Sequence, residues 1–390
     1  MYQAIRPLVL NKELPSMKAD DDCVPEISND SVNTMHRLLA ASLELRVKDI
    51  PRMNTPNAPD SNVKPAKLAV LFSGGLDCTL LARLAHDLLD HSEPIDLLNV
   101  AFQNPRVQRN NDLKSAQPQS PYEQCPDRVT GRSSYDELKR TCPIREWRFV
   151  AVDVPYPEML EHRNRVMSLM HPHNTEMDLS IACALYFAAR GAGTISIDEE
   201  FALNYTTTAR VLLSGLGADE LFGGYTRHAT AFNRGGYAGL ADELELDVSR
   251  LGKRNLGRDD RVISNWAREA RFPFLDERLV NWSLSIPTWE KCGFASASKS
   301  TIDPTKQLLR HLALKLNMPR VSNEKKRAVR FTILPCPDLM LTLSRFNSEP
   351  VRQRWRSGAQ RAQTCLWSMA ECRFKMVSEA LWSCFSVIRR

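Results

Sequence analysis

Leu68-Ala-Val-Leu-Phe72 is an unbroken apolar run that stops at Ser73-Gly74-Gly75, just before a helical pattern opens near Asp77. A strand this uniformly apolar is buried on both faces, as in a parallel sheet covered by helices. Leu97–Phe102, Trp147–Val154 and Arg210–Leu213 repeat the pattern. Helical spacing predicts helices near 77–90, 132–140, 156–170 and 177–190. Between them, residues 103–127 form a polar insert with four prolines, which reads as a surface loop. Downstream of Tyr225 the pattern is mainly helical. Strands alternating with helices point to an α/β domain with a parallel sheet, followed by a helical C-terminal part.

The 390 residues, 43% hydrophobic and 25% charged, exclude a wholly disordered or collagen-like chain. No apolar run approaches the roughly 18 residues of a membrane span. Met1–Pro7 shows no long apolar core before a small-residue cleavage site, so no signal peptide is expected, and the ten cysteines form no CxxC pair. A cytoplasmic protein with reduced thiols and no zinc ribbon is expected. The net charge of +6 is concentrated. Residues 332–390 hold nine Arg or Lys and four Asp or Glu, a balance of +5, so the rest is near neutral. Neither a nucleic-acid nor a membrane partner is expected. Three stretches are expected. Residues 1–65 carry one helix, about 32–48 (Val32, Met35, Leu39, Leu43, capped by Asp30-Ser31), and a proline-rich linker over 50–67. Residues 66–331 form the α/β domain. Residues 332–390 form a basic tail without periodicity after Arg356.

The chemistry lies at two strand ends. In Ser73-Gly74-Gly75-Leu76-Asp77-Cys78 the glycines let the backbone approach an anion. The amides of the following helix point at that anion, and Ser73 adds a hydroxyl. Asp77 does not favour a bare phosphate; Mg²⁺ held beside phosphates explains it. No Gly-Lys-Ser/Thr follows, so this is not a Walker A loop. The second stretch, Ser214-Gly-Leu-Gly-Ala-Asp219-Glu-Leu-Phe-Gly-Gly-Tyr225, packs four glycines into ten positions around an acidic pair, a density that packing alone explains poorly. Strand ends of an open parallel sheet converge on one crevice, so both loops can face one nucleotide, with Asp77 and Asp219 sharing the metal.

These residues carry a family resemblance. Ser73–Cys78 resembles the SGGxDS loop of the ATP pyrophosphatases. Ser214–Tyr225 resembles the SGEGSDELFGGY pattern of glutamine-dependent asparagine synthetases and the related β-lactam synthetases. Met177–Ile181, Arg258–Arg261 with Ala270–Asp276, Lys306–Arg310 and Lys325–Arg327 follow in the family's order, so the resemblance spans about 30–331. It implies an adenine nucleotide α-hydrolase-like (ATP pyrophosphatase) sheet, with ATP and Mg²⁺ as cofactors. It also implies that the aspartate side chain is adenylated with loss of pyrophosphate, and that ammonia from glutamine then displaces AMP. By the same resemblance Leu71, Val100, Ser214 and Gly215 touch the nucleotide, Lys306 sits on phosphate, and Asp219 acts beside it.

The pattern fails in four places. Leu216 stands where the family has a glutamate able to activate ammonia; a single general base contributes about 10²–10⁴-fold. Cys78 replaces a serine, and a thiol is the weaker donor. Tyr2 stands where a glutaminase module needs cysteine, so free ammonia or separately handled glutamine is expected. The resemblance stops near Phe331. Leu216 leaves a second reading open, a nucleotide-binding descendant without catalysis that works through protein partners. A third, an RNA-modifying ATP pyrophosphatase, fits the near-neutral body poorly.

Overall fold

The computed structural model describes residues 9–15, 27–51, 63–104, 120–196, 202–296 and 302–325. The centre of the polar insert, the basic pair Lys326-Arg327 and the tail from 332 lie outside them. The chain divides into two units, Met1–Phe331 and Thr332–Arg390; only the first contains described residues.

Helix α1 (Asn29–Val47) begins where the Ser28 hydroxyl accepts the Asp30 amide at 3.1 Å. Its apolar stripe, Val32, Met35, Leu39, Leu43 and Val47, is buried in the same core as β1 (Leu68–Leu71), against α2 (Leu76–Leu88) and a late helix, α11 (Gln307–Lys315). Strand β2 (Ile95–Phe102) follows, then α3 (Pro126–Thr141), β3 (Trp147–Val154), α4 (Tyr156–Met170) and α5 (Glu176–Arg190). Helix α3 starts at Pro126, earlier than the spacing predicts. Its first turn carries Arg128, a charged residue that is fully buried and breaks the amphipathic pattern.

Among the described residues, seven strands form one sheet in the order β5-β4-β3-β2-β1-β6-β7. The pairs β1–β2, β1–β6, β2–β3 and β6–β7 are parallel, so a mixed α/β architecture with a mostly parallel sheet is found as expected. Three strands are absent from the sequence reading. β4 (Ala192–Ser196) and β5 (Ala202–Thr206) form an antiparallel hairpin at one edge, and β7 (Glu269–Arg271) closes the other. Their sequences are short, polar or charged, as suits exposed edges, and show no buried apolar run. The chain fills one side of β1 through β5, then returns to its other side as β6 (Val211–Leu213). That reversal makes β1 and β6 the switch point, where a crevice opens beyond the strand C-termini.

The helical part consists of α6 (Ala218–Phe222), α7 (Thr226–Leu251), broken at Gly235-Gly236, α8 (Gly257–Ser264), α9 (Glu277–Ser285), α10 (Thr288–Lys291), α11 and α12 (Pro319–Asn323). Tyr237, Leu240 and Leu244 of α7 form a second apolar cluster with Leu284, Cys292 and Leu10. The segment around Leu10 is pinned there: the Asn11 amide donates to Leu284 O at 2.7 Å, and its side chain donates to Ser285 O at 2.9 Å.

One histidine makes the fold acid-sensitive. His86 closes α2, its Nδ1 accepting from Arg145 Nε at 3.2 Å. Burial, reinforced by Arg145 and Arg83, lowers its pKa from 6.5 to about 4. The unfolded chain therefore binds more protons between those values, and stability falls as pH drops through 6.5 towards 4. His86→Gln keeps an acceptor for Arg145. It is expected to remove this share of the acid loss, so wild type should lose ground to the variant between pH 7 and pH 5 in denaturant midpoints. A constant gap between the two would contradict the assignment.

Candidate active site

Strands β1 and β6 end side by side, with Val70 level with Leu213 and Leu71 level with Leu98 of β2. Side chains alternate along a strand, so Leu71, Val100 and Ser214 share one face at the mouth of the crevice. The two loops touch directly: a Cβ on Gly215 would lie 3.0 Å from Asp77 Cβ. The residues singled out as paired strand-end loops are thus brought together.

The glycines divide the work differently from the sequence reading. Gly74 has a left-handed φ of +81°, and a Cβ there would lie 2.5 Å from the Gly131 amide nitrogen of α3. Its carbonyl accepts from Ser134 Oγ at 2.6 Å. Gly74 therefore locks the loop to α3. Gly75, whose Cβ would meet only Ser73 Oγ at 3.5 Å, leaves open space. In the second loop, too, packing explains more than expected. A Cβ would come within 2.5 Å of Leu275 at Gly217, 2.1 Å of Cys292 Sγ at Gly223 and 1.8 Å of Asp219 Oδ1 at Gly224. Leu76 turns its side chain into the core, leaving its backbone to the loop. Cys78 is buried as well, its Sγ donating to Gly75 O at 3.3 Å, and burial raises its pKa. The thiol holds the loop from within.

Three charged side chains meet in the crevice. Asp77 stands in the first turn of α2 and Asp219 in the first turn of α6. Lys306 caps α11 with a left-handed φ of +51°. Its Nζ lies 2.8 and 2.7 Å from the two Asp77 carboxylate oxygens and 3.0 Å from Asp219 Oδ1. Burial alone would lower the lysine pKa; Asp219 and Asp77 outweigh it and hold the ammonium charged. Arg310, one turn along α11 and fully buried, fixes the approach. It donates to Thr305 O at 2.7 Å, just before Lys306, and to Ser322 O and Glu324 O at 2.6 and 2.8 Å, just before Lys325.

A second layer supports these groups. Glu220 accepts from Tyr225 Oη at 2.6 Å and from Asn255 Nδ2 at 2.9 Å. Burial, then the charges of Asp219 and Glu220, raises the Tyr225 pKa and keeps the phenol a donor. Arg258 pairs with Asp178 at 2.6 Å and Asp259 at 2.8 Å, joining two of the stretches that carry the family resemblance. Burial pushes Asp259 up to about 6 against the pull of Arg258. Leu216 is half-buried in the Ser214–Gly217 turn, its amide donating to Ser214 Oγ at 3.3 Å.

Sequence reasoning missed the brace behind the first loop. The Arg128 guanidinium donates to Asn99 at 2.7 Å, Glu123 at 2.8 Å and Asp153 at 2.6 Å. Asn99 in turn donates to Phe72 O at 2.9 Å, one residue before Ser73. The available signal was Asn99, an uncharged polar residue inside an apolar strand.

Among the described residues, no group of three or more His, Cys, Asp and Glu side chains gathers as a metal cage. Mg²⁺ is commonly held by one or two carboxylates with substrate phosphates completing the shell. Asp77 and Asp219, close enough to share one ammonium, fit that donor set.

The asparagine synthase family model matches residues 201–240 and 233–343, which takes in the second loop, the Ala270–Asp276 element and Lys306. Asparagine synthetase domain-containing protein 1 of Bos taurus is 38% identical over 323 residues, covering 75% of this chain and 50% of the relative. The Homo sapiens protein of the same name is 37% identical over 322 residues, with the same coverage. The chain carries a domain of the asparagine synthase family. A putative glutamine-hydrolyzing asparagine synthetase of Methanocaldococcus jannaschii is 51% identical over 78 residues, 20% of this chain and 14% of that protein. The chain spans about half the length of the two animal relatives. The asparagine synthase match runs to residue 343, past Phe331, where the resemblance was expected to stop. Its sheet is of the ATP pyrophosphatase type, with the helical part following. No helix among the described residues is long and apolar enough to cross a membrane.

Proposed function

We propose that the chain is an ATP-dependent, amide-forming enzyme of the asparagine synthetase kind. Aspartate's side-chain carboxylate attacks the α-phosphate of ATP, pyrophosphate leaves, and ammonia displaces AMP from the aspartyl-adenylate. The observation that carries this reading is the meeting of Asp77, Asp219 and Lys306 where two glycine loops touch. A triphosphate needs amides, an ammonium and a divalent ion around it, because the reaction is mostly charge management at phosphorus. Ser73, Gly75 and the backbone from Gly74 to Cys78 line the phosphate side, while Leu71, Val100, Ser214 and Gly215 flank the adenosine. Lys306 takes phosphate charge. Asp77 and Asp219 hold Mg²⁺, which when bound neutralises charge on the polyphosphate. Aspartate and ammonia, or glutamine handled elsewhere, are the remaining substrates.

The test is label exchange between pyrophosphate and ATP. Exchange that requires both aspartate and Mg²⁺ is expected. ATP binding without aspartate-dependent exchange, even in excess ammonium, would overturn the reading.

Leu216 favours a second reading, in which ATP is bound but amide formation has been lost and the protein works through partners. An apolar side chain in the Ser214–Gly217 turn cannot take a proton from ammonium. Leu216→Glu is therefore informative. With ammonium supplied, asparagine formation is expected to rise by at least about 100-fold over wild type, the low end for a positioned base. No change, measured by amino-acid analysis of the products, would show that Leu216 is not what limits the second step.

A further inference from the structure

We propose that Lys306 is an internal counter-ion that keeps a free divalent ion out, so that the site takes its metal only together with a polyphosphate. This rests on the nucleotide reading above. The Lys306 ammonium is within 3.0 Å of oxygens from both carboxylates that fit Mg²⁺, and its side chain is only 4% exposed. An ion ligated by the same carboxylates would sit about 2.0–2.1 Å from their oxygens, in the volume that Nζ occupies. A monovalent and a divalent cation cannot share that volume, since like charges in a poorly solvated site repel strongly.

The lysine is also held where it is. Its left-handed backbone is fixed from behind by Arg310 through Thr305, and Gly224 leaves room for its Cε, from which a Cβ would be 3.0 Å away. The ammonium gives up two carboxylates only for another anionic partner. A polyphosphate supplies one, and the ion it carries then restores the charge that Asp77 and Asp219 lose. The two carboxylates are thus neutralised in turn by lysine and by metal, and the exchange selects metal–nucleotide over metal alone.

The experiment is a Mn²⁺ titration of the full, nucleotide-free protein, read from the free-ion paramagnetic resonance signal and requiring no turnover. Lys306→Met is expected to create a saturable Mn²⁺ site at least about tenfold tighter than any in wild type, about 1.4 kcal/mol. The gain should vanish in Lys306→Met/Asp219→Asn. Lys306→Gln repeats the test should the methionine variant fold poorly. Equal Mn²⁺ affinity in wild type and both variants, or a gain that survives Asp219→Asn, overturns the proposal. Dialysis of wild type against labelled Mg–ATP separates the two readings. ATP retention without the Mn²⁺ gain defeats the counter-ion role alone. A Mn²⁺ gain without ATP retention defeats the nucleotide reading and, with it, the selection of metal–nucleotide.

Discussion

Asp77→Asn is expected to abolish aspartate-dependent pyrophosphate exchange, with a loss of about 10²–10³-fold or more. The magnitude is that of removing one preorganised electrostatic group from a reacting centre. The amide keeps the shape of the side chain and its place in the first turn of α2, but it cannot neutralise Lys306 Nζ, 2.7–2.8 Å away, or ligate a metal with charge. Lys306 keeps Asp219 at 3.0 Å, so the protein should still fold. A thermal midpoint near that of wild type, with exchange lost, is the expected pair of measurements. Exchange within a factor of a few of wild type would remove Asp77 from the chemistry.

The second large effect separates two adjacent glycines. Gly74→Ala is expected to destabilise the fold by about 3 kcal/mol, combining the left-handed backbone with overpacking. The clash at 2.5 Å is with the backbone of α3, which has no side chain to swing aside. Gly75→Ala meets only Ser73 Oγ at 3.5 Å and should fold normally. Its methyl group enters the space that the phosphates are proposed to fill, so Gly75→Ala should bind ATP poorly while melting like wild type. Denaturation midpoints together with equilibrium dialysis of ATP check both halves. Similar stability losses in both variants would mean that Gly75, too, serves packing.

This division of labour marks where sequence could not reach. The sequence pattern located β1, β2, β3 and β6, because buried parallel strands are apolar without interruption. It also singled out Asp77 and Asp219, and the family resemblance added Lys306; the three come from distant segments and meet at one point. It did not locate β4, β5 and β7, whose exposed or charged edges carry no strand period. It assigned glycines to a ligand by composition, whereas Gly74, Gly217, Gly223 and Gly224 answer to neighbours that only the fold provides. Arg128 illustrates the same limit. Nothing in the sequence around Arg128 marks it as buried, yet it is fully buried because Asn99 of β2, Asp153 of β3 and Glu123 of the turn before α3 converge on it. Arg310 is hidden likewise, since its partners are backbone carbonyls.

The most direct measurement is a crystal structure grown with Mg²⁺ and a non-hydrolysable ATP analogue. Phosphate density along Ser73–Gly75 with the adenosine beside Ser214–Gly215, metal density at Asp77 and Asp219, and Lys306 Nζ moved from the carboxylates onto phosphate are the expected result. Nucleotide bound elsewhere, or a crevice whose two carboxylates still hold Lys306 with the analogue present, would contradict it.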